Sequence, residues 1–360
     1  MGASFLTPLG GGISGHSFGE INNYDDLISL ENLFLSWQEF KKGKTKRKDV
    51  LEFEFCLEDN LFQLYQELKS KTYKHLKYSS FYVQDPKLRH IHKAEVRDRI
   101  VHRLISKYFE QIYDKTFIFD SYSCRLGKGT HKAVDRLQSF TRKVSKNNTV
   151  PCFVLKCDIK KFFDSIDHKN LADILKRKIR DKNILNLAKE IINSFPTENN
   201  KGIPLGNLTS QHFANIYLNE FDQFVKHQLK VKYYIRYTDD FVIVASDELY
   251  LKSLIAPIRS FLADKLALEL HPKKVVICKF HQGVDYLGYK VLPHYQLLRT
   301  KTKKRIFRKL EGRVEEYKKG LINRQSLEQF FQSYLGILTH TDAYKLEQKL
   351  RNQFWFWLGE

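Results

Sequence analysis

The sequence predicts an α+β fold in which helices cover one face of an antiparallel sheet. Three observations favour it. The short apolar run at 151–158 ends in a carboxylate, two apolar runs flank Thr238-Asp239 as in a β-hairpin, and helical periodicity occupies most of the remaining chain. The order strand, helices, helix, hairpin, helix, strands corresponds to a split β-α-β-β layout.

The N-terminal part is predicted to be mainly helical. Residues 1 to about 22 are rich in Gly and Ser and predict a flexible lead. Apolar residues then recur at helical spacing from Leu27 to Trp37, with Asp25 or Asp26 as the expected N-cap. Residues 50–70 predict a second amphipathic helix, and residues 90–114 a strand and turn followed by a helix.

The later elements follow from the same periodicities. Helices are predicted at 168–194, from about 207 to 229 and at about 249–268. The strands VVICKF and VDYLGYKV come next, and the tail from about 301 to 360 is helical and strongly basic at its start.

Composition restricts the class of protein. The 360 residues are 42% hydrophobic, so a core can be buried and global disorder is excluded. Lys and Arg number 61 against 41 Asp and Glu, and the resulting charge of +20 is spread along the chain. This favours a polyanionic partner, although a protein that merely has a high pI remains an alternative.

Cysteine usage and hydropathy bear on the compartment. The five cysteines are an odd number and include no C-x-x-C pair, which argues against a disulfide framework and indicates a reducing compartment. The first residues do not show the charged region followed by an apolar region that is typical of a signal peptide, so none is expected. No run of 18 apolar residues predicts a membrane span.

Three carboxylates carry the chemical prediction. Asp239 and Asp240 stand together between apolar strands, where they repel each other and resist desolvation unless a cation compensates them. Asp158 ends a strand that can lie beside this hairpin, so the three could hold hard divalent cations. The alternatives are a plain Asp-containing turn and an N-cap at Asp158.

An ordered set of motifs carries a resemblance. Asp158 with Phe163, the segment GIPLGNLTSQ (202–211) and Tyr237-Thr238-Asp239-Asp240 resemble motifs A, B and C of reverse transcriptases, over about residues 25–345. The resemblance implies a right-hand polymerase with an antiparallel-sheet palm, helical fingers and a helical thumb. It divides the chain into a flexible lead (1–24), N-terminal helices and fingers (25–150), a palm with the catalytic motifs (151–292) and a thumb (293–360).

The resemblance implies an RNA-directed DNA polymerase that uses two Mg²⁺ ions, with Mn²⁺ as a substitute ion. The metal set is Asp158, Ile159, Asp239 and Asp240. Lys274 in the LHPKKV turn matches the catalytic lysine of motif D, although its neighbour Lys273 leaves the register open.

Other residues are assigned to substrates. Phe163 is the expected aromatic gate against a ribose 2′-OH. The guanidinium groups of Arg97 and Arg99 suit contacts to the triphosphate, and the alternative is that they form ion pairs with Glu95 or Asp98. The implied dNTP-binding residues are Phe163, Leu205, Gly206, Arg97 and Arg99. The implied nucleic-acid-binding residues are Ser210, Gln211, Tyr237, Arg125, Lys128, Tyr286, Leu287 and Gly288.

Several of these positions have plainer alternatives. Thr209 or Ser210 could simply cap a helix, and the loop around Arg125 could be an ordinary glycine loop. The tyrosines of YLGY (286–289), which resembles a primer grip, could be core residues. The basic stretch 301–313 is either a thumb surface that grips the RNA–DNA hybrid or a solvated face.

The subtype prediction depends on motif B. Leu205 stands where retroviral enzymes have Gln, and Ser210 is followed by Gln211, as in reverse transcriptases of diversity-generating retroelements, which copy template adenines with errors. The implied partners are template RNA, the RNA–DNA hybrid, dNTPs and a small basic helical accessory protein, with no membrane. The implied location is the cytoplasm, in a bacterial or phage-encoded system.

Three other functions remain open. The first is a defence-associated, retron or group II intron-like reverse transcriptase. The second is a template-independent nucleotidyl transferase that uses the same site. The third is a non-enzymatic RNA-binding protein with an inactive polymerase fold.

Overall fold

The computed structural model describes residues 18–84, 87–195, 197 and 199–359, so most of the predicted lead lies outside the described residues. Its α-helices are α1 (Tyr24–Ile28), α2 (Leu30–Lys41), α3 (Lys48–Phe55), α4 (Leu57–Lys69), α5 (Val96–Tyr113), α6 (Thr130–Val144), α7 (Phe162–Ser165), α8 (His168–Lys176), α9 (Lys182–Asn193), α10 (Leu208–Gln223), α11 (Glu248–Leu266), α12 (Thr300–Lys318), α13 (Arg324–Leu338) and α14 (Tyr344–Leu358). Its strands are β1 (Ser79–Gln84), β2 (Leu88–Lys93), β3 (Phe153–Asp158), β4 (Tyr234–Tyr237), β5 (Asp240–Ala245), β6 (Val276–Lys279), β7 (Val284–Tyr286), β8 (Tyr289–Val291) and β9 (Gln296–Leu298).

The chain divides into two compact units that interleave along the sequence. The first unit comprises 1–119, 159–228 and 259–270, and the second comprises 120–158, 229–258 and 271–360. The division by function into lead, fingers, palm and thumb remains a prediction.

A four-stranded antiparallel sheet in the order β4-β5-β3-β6 forms the centre of the second unit. The apolar runs of β3 and β5 are buried, as is typical of strands covered on both faces. The predicted hairpin is confirmed as β4 and β5, which pair from Tyr234↔Ile243 to Tyr237↔Asp240.

The same unit contains a smaller sheet, β7-β8-β9, and the helices α12 to α14. Their apolar faces join one core, in which Phe331 and Phe354 stack at 4.0 Å. This core holds β7 and β8 against the start of α12, which positions the YLGY turn.

The first unit is built around α5. This helix buries its Ile100, Val101, Leu104 and Ile105 face completely and packs on α2 and α10. The hairpin β1–β2 pairs from Ser79↔Lys93 to Gln84↔Leu88 and keeps most of its side chains exposed.

Some local predictions were wrong. Asn23 and Ser29 cap α1 and α2 through their side chains, whereas Asp25 and Asp26 lie in the first turn of α1. The helix predicted for 50–70 breaks at Cys56. By contrast, the helix predicted from about 207 to 229 is confirmed, since α10 continues from Gln223 as a π-helical turn to Gln228.

The structure bears on the expectations about disulfides and membrane-spanning helices. All five cysteines are free. Within the described part of the chain, every helix is too short or too polar to span a bilayer.

Candidate catalytic site

The three predicted carboxylates meet at one end of the four-stranded sheet. In the β3–β5 ladder, Asp158 is the direct partner of Asp240, and paired Cα atoms in an antiparallel sheet lie about 4.5–5.5 Å apart. Asp239 is in the two-residue turn that joins Tyr237 to Asp240. Carboxylates far apart in the sequence are therefore neighbours in the fold.

The turn that carries Asp239 has an unusual backbone. Thr238 has φ 52°, in the left-handed region, although it is a β-branched residue. Residues held in this conformation cost roughly 1–3 kcal/mol and occur preferentially at functional sites.

Burial and repulsion from neighbouring carboxylates raise the pKa values of Asp239 and Asp240. Burial, followed by repulsion from Asp240 and then from Asp158, raises the pKa of Asp239 from 3.8 to about 6. Burial also raises the pKa of Asp240, with Asp158 adding to the rise and Lys156 opposing it. A divalent cation between the carboxylates would relieve this repulsion.

Lys274 is the cation that contacts this cluster. Its Nζ donates to Oδ2 of Asp158 at 2.8 Å, and the backbone N–H of His271 donates to the carbonyl of Asp158, also at 2.8 Å. Lys273 is exposed, and its own backbone N–H donates to Nδ1 of His271. Of the two adjacent lysines, Lys274 is therefore the one that reaches the carboxylates.

The donor set suits a hard cation. In the residues that the structure describes, no three His, Cys, Asp or Glu side chains already form a metal-binding group, and the ammonium of Lys274 occupies one oxygen of Asp158. The carboxylates offer only oxygen ligands, which Mg²⁺ and Mn²⁺ prefer. Ile159 has a buried apolar side chain, so it could contribute only its backbone carbonyl.

The predicted primer-grip residues form a tight hairpin. Leu287 and Gly288 have φ values of 45° and 94°, as a two-residue turn of type I′ requires. The carbonyl of Gly288 accepts from the backbone N–H of Arg299 at 3.1 Å, which ties the turn to the start of α12. Tyr286 is fully buried, and its hydroxyl lacks a hydrogen-bond partner in the described structure. Core packing therefore accounts for Tyr286, whereas Leu287 and Gly288 are half-buried.

The remaining candidates of the second unit lie beside the β4–β5 hairpin or in the glycine loop. Tyr237 is half-buried and its hydroxyl accepts from Thr130 at 3.2 Å. Arg125 donates to the carbonyl of Ser121 at 3.2 Å, and the ammonium of Lys128 lies 4.9 Å from the ring centre of Tyr122. Both cations remain partly accessible, as a phosphate contact would require.

In the first unit, the motif B loop is fixed by its neighbours. The N–H of Ile203 donates to the carbonyl of Phe163 at 2.9 Å, and the N–H of His92 donates to the carbonyl of Leu205, also at 2.9 Å. Phe163 is half-buried, whereas the adjacent Phe162 is a core residue, as expected. Backbone hydrogen bonds thus connect the loop that carries Leu205 to Phe163 of α7 and to His92 of β2.

Gly206 is required by both conformation and space. Its φ is 109°, and a Cβ at this position would lie 2.7 Å from Cγ2 of Ile91 on β2. The side-chain amide of Asn207 donates to the carbonyl of His92 at 2.9 Å and fastens the same strand from the other side of the glycine.

Helix α10 follows this loop, and its N-cap is not one of the two residues that the sequence offered. Asn207 occupies the N-cap position of α10, so neither Thr209 nor Ser210 caps it. Ser210 is buried and donates to the carbonyl of Pro204 at 2.6 Å, while Gln211 is half-buried. Gln211 is therefore more accessible to nucleic acid than Ser210.

Arg97 and Arg99 are engaged in ion pairs. Arg97 pairs with both oxygens of Glu67, at 3.1 and 2.5 Å, and Arg99 pairs with Asp49. The ion-pair alternative predicted Glu95 or Asp98 as partners, and only a 3.7 Å approach of Arg97 to Asp98 agrees with it. Triphosphate binding by these arginines would require the pairs to open.

Sequence reasoning missed two cations of the second unit, one fully buried and one half-buried. Arg236 on β4 is fully buried and donates to the carbonyl of Thr238 at 3.2 Å. Lys156 on β3 lies near Asp240 and donates to the carbonyl of Asp285 at 2.9 Å. In each case the available signal was a single charged residue within an otherwise apolar strand.

Comparison with known proteins finds relatives both by sequence and by structure. The chain is 25% identical over 285 residues to Protein YkfC of Escherichia coli (strain K12), covering 68% of this chain and 74% of that protein. It is 23% identical over 343 residues to the group II intron-encoded protein LtrA of Lactococcus lactis subsp. cremoris, covering 74% of this chain but only 56% of LtrA. Apo telomerase from Candida tropicalis, truncated from its C-terminal domain, superposes with a TM-score of 0.46 and 14% identity over 67% of this chain and 60% of its own. Residues 82–291, more than half of the chain, match the family described as reverse transcriptase (RNA-dependent DNA polymerase), and the chain therefore belongs to that family.

Proposed function

We propose that the chain synthesises DNA on an RNA template by metal-assisted phosphoryl transfer, with Asp158, Asp239 and Asp240 as the metal-binding carboxylates. The observation that carries the proposal is the pairing of Asp158 with Asp240 across the β3–β5 ladder, next to the turn that holds Asp239. Three half-buried acids meet at this end of the sheet, and the pKa values of Asp239 and Asp240 are raised, which is an unfavourable arrangement unless a cation is bound.

Each side chain has a role that follows from its position. Two Mg²⁺ ions bound here would activate a primer 3′-hydroxyl and stabilise the charge of the leaving pyrophosphate. Asp158 and Asp239 supply oxygen ligands, and Asp240 supports them. Lys274 carries a proton at its Nζ, 2.8 Å from Asp158, and suits protonation of the pyrophosphate once the carboxylate is neutralised by metal.

Nucleotide selection is assigned to the first unit. Phe163 is the proposed gate against ribose, and its half-buried ring stands beside a core phenylalanine that cannot take this role. Arg89 is a further candidate for the triphosphate. It is exposed on β2, where it shares a strand face with Ile91, the residue that contacts Gly206.

Helix α12 is the proposed phosphate-binding surface for the RNA–DNA hybrid. Its first three turns carry a run of cations beside the buried Ile306 and Leu310. The exposed members of this run are Lys301, Lys304 and Arg308. Cations on one helix face contact successive phosphates without reading sequence, so affinity should fall steeply with salt.

Primer extension tests the proposed activity. Wild-type protein with Mg²⁺, dNTPs and an annealed RNA template is expected to extend a DNA primer, and Asp239→Asn is expected to abolish incorporation while the protein stays folded. Extension that persists without template would instead favour a template-independent nucleotidyl transferase. Activity retained by Asp239→Asn would reject the assignment of the carboxylates.

For the biological role, we propose error-prone copying in a diversity-generating retroelement. Support comes from the resemblance of Leu205, Ser210 and Gln211 to that group. The carbonyl of Leu205 is held by the N–H of His92, so Leu205→Gln changes the side chain on a fixed backbone. The substitution is expected to lower misincorporation opposite template adenine. An unchanged error spectrum would count against the proposal.

A second candidate role is that of a group II intron-like reverse transcriptase. The similarity to LtrA favours it, although the chain spans little more than half of LtrA. Genes beside this one would separate the roles, since a template and variable repeat pair is expected only for diversification. A retron or defence role predicts neither the repeats nor a surrounding intron.

The proposed accessory partner has a surface that suits it. The helices α3 and α4 expose Leu51, Phe55 and Phe62 at 51%, 90% and 53%. Glu52 and Glu58 are exposed on the same two helices of this otherwise basic chain. An apolar surface with acidic neighbours is complementary to a basic partner. Phe55→Ser is expected to weaken capture of such a protein without changing primer extension.

A further inference from the structure

Arg236 is a fully buried arginine directly before the catalytic turn, and the activity proposed above gives it no role. Its Nη1 donates to the carbonyl of Thr238 at 3.2 Å, and its Nη2 donates to the hydroxyl of Ser121 at 3.1 Å. A guanidinium loses its hydration when it is buried, so its position beneath a turn indicates that it is held there for its directional hydrogen bonds.

The turn needs an external restraint. Thr238 has φ 52°, a conformation that disfavours β-branched side chains. Two groups hold this residue: Arg236 binds its carbonyl, and the hydroxyl of Ser123 accepts from the Thr238 hydroxyl at 2.7 Å. Asp239 is the next residue along the chain, so the direction of its carboxylate depends on this backbone.

The restraint is anchored by the segment 120–123. Ser121 forms a parallel bridge with Arg236, whose backbone N–H donates to Asp120 at 3.0 Å and whose carbonyl accepts from Tyr122 at 2.9 Å. The carboxylate of Asp120 in turn accepts from Arg136 of α6 at 2.7 and 3.2 Å. A continuous series of bonds therefore connects α6 to the catalytic turn.

We propose that Arg236 is a positioning residue that holds the Thr238 carbonyl and so fixes Asp239 in its metal-binding orientation before any metal arrives. The proposal rests on the assignment of Asp239 as a ligand but concerns the metal-free turn. Arg236 itself touches neither metal nor substrate in this account. Such preorganisation reduces the rearrangement that metal binding would otherwise require.

Hydrogen exchange of the metal-free protein tests the proposal independently of catalysis. Arg236→Met is expected to speed exchange of the 238–240 amides about tenfold, as the loss of its hydrogen bonds to Thr238 and Ser121 implies. Arg236→Lys, which keeps the charge and fewer donors, should give a smaller increase. Tyr73→Phe, which removes a buried hydrogen bond to Asp98 in the first unit, is the control and should leave these amides unchanged.

Enzyme kinetics give the second readout. Arg236→Met is expected to lower kcat about tenfold and to raise the Mg²⁺ concentration for half-maximal rate, with the Kd for the RNA–DNA hybrid unchanged. If Arg236→Met does not fold, Ser123→Ala provides the comparison, since it removes the bond to the Thr238 hydroxyl but leaves the bond from Arg236 to the Thr238 carbonyl, and it should give a smaller change in the same direction. Wild-type exchange at 238–240, or changes equal to those of Tyr73→Phe, would overturn the proposal. Altered exchange in a protein that proves inactive on every template would uphold the restraint while rejecting the proposed function.

Discussion

Removing the charge of Asp239 should stabilise the metal-free protein above pH 6. An unfolded Asp releases its proton near 3.8, whereas folded Asp239 retains it to about 6. Between these values the folded state binds more protons than the unfolded state, so stability falls as pH rises from about 4 to about 6 and stays lower above that range.

The magnitude follows from the same values. A rise from 3.8 to about 6 corresponds to about 3 kcal/mol, since one pKa unit is about 1.36 kcal/mol. Asp239→Asn cannot ionise, so its free energy of unfolding should exceed that of wild type by up to about 3 kcal/mol at pH 8 and by almost nothing at pH 4.

Unfolding measured by calorimetry between pH 4 and pH 8, with EDTA present, provides the assay. Asp173→Asn, at an exposed position of α8 outside the carboxylate cluster, is the control for the substitution itself. Added Mg²⁺ should stabilise wild type by about 2.7 kcal/mol at 100 times its Kd and stabilise Asp239→Asn much less. An equal gain at pH 4 and pH 8, or no gain at either, would refute the reasoning about the carboxylate cluster.

The other predictions concern single positions around the proposed site. Gly206→Ala should destabilise the protein by about 1–3 kcal/mol and disable synthesis, because the added Cβ would meet Ile91. The control Gly312→Ala, in open space on α12, should instead raise the thermal midpoint of unfolding, and similar effects of the two substitutions would contradict the argument. Lys274→Met should tighten Mg²⁺ binding in calorimetric titration while lowering kcat, because the ammonium and the cation compete for Asp158, and unchanged affinity would oppose this. Phe163→Val should raise the ratio of kcat/KM for rNTPs to that for dNTPs by roughly tenfold or more, and an unchanged ratio would reject the gate.

The order of elements and the catalytic hairpin followed from local sequence patterns. Alternating and continuous apolar runs define strands directly, so 151–158 predicted β3 (153–158), and the runs flanking Thr238-Asp239 predicted β4 and β5. The adjacency of Asp158 and Asp240 followed from antiparallel pairing, because one register places both strand ends together.

Long-range partners did not follow from local patterns. Arg97 and Arg99 pair with Glu67 and Asp49, which lie 30 and 50 residues earlier in the sequence, whereas local reasoning considered only adjacent acids. The burial of Arg236 depends on a segment more than a hundred residues away, and no periodicity of its own strand encodes that contact.

Helix boundaries were also set by tertiary structure. The side chain of Asn23 accepts from the backbone N–H of Asp26, so the N-cap of α1 is Asn23 and lies before the predicted Asp25 or Asp26. The choice between Lys273 and Lys274 required the turn geometry, in which the His271 N–H binds the Asp158 carbonyl and directs one lysine to the carboxylate.

The binding of metal by the three acids is tested most directly by anomalous diffraction from crystals of the protein with Mn²⁺, an RNA–DNA hybrid and an incoming dNTP. We expect two manganese peaks about 4 Å apart, both within bonding distance of oxygens from Asp158 and Asp239. Manganese found only elsewhere, or a fully engaged hybrid and nucleotide with no ion at these carboxylates, would contradict the account.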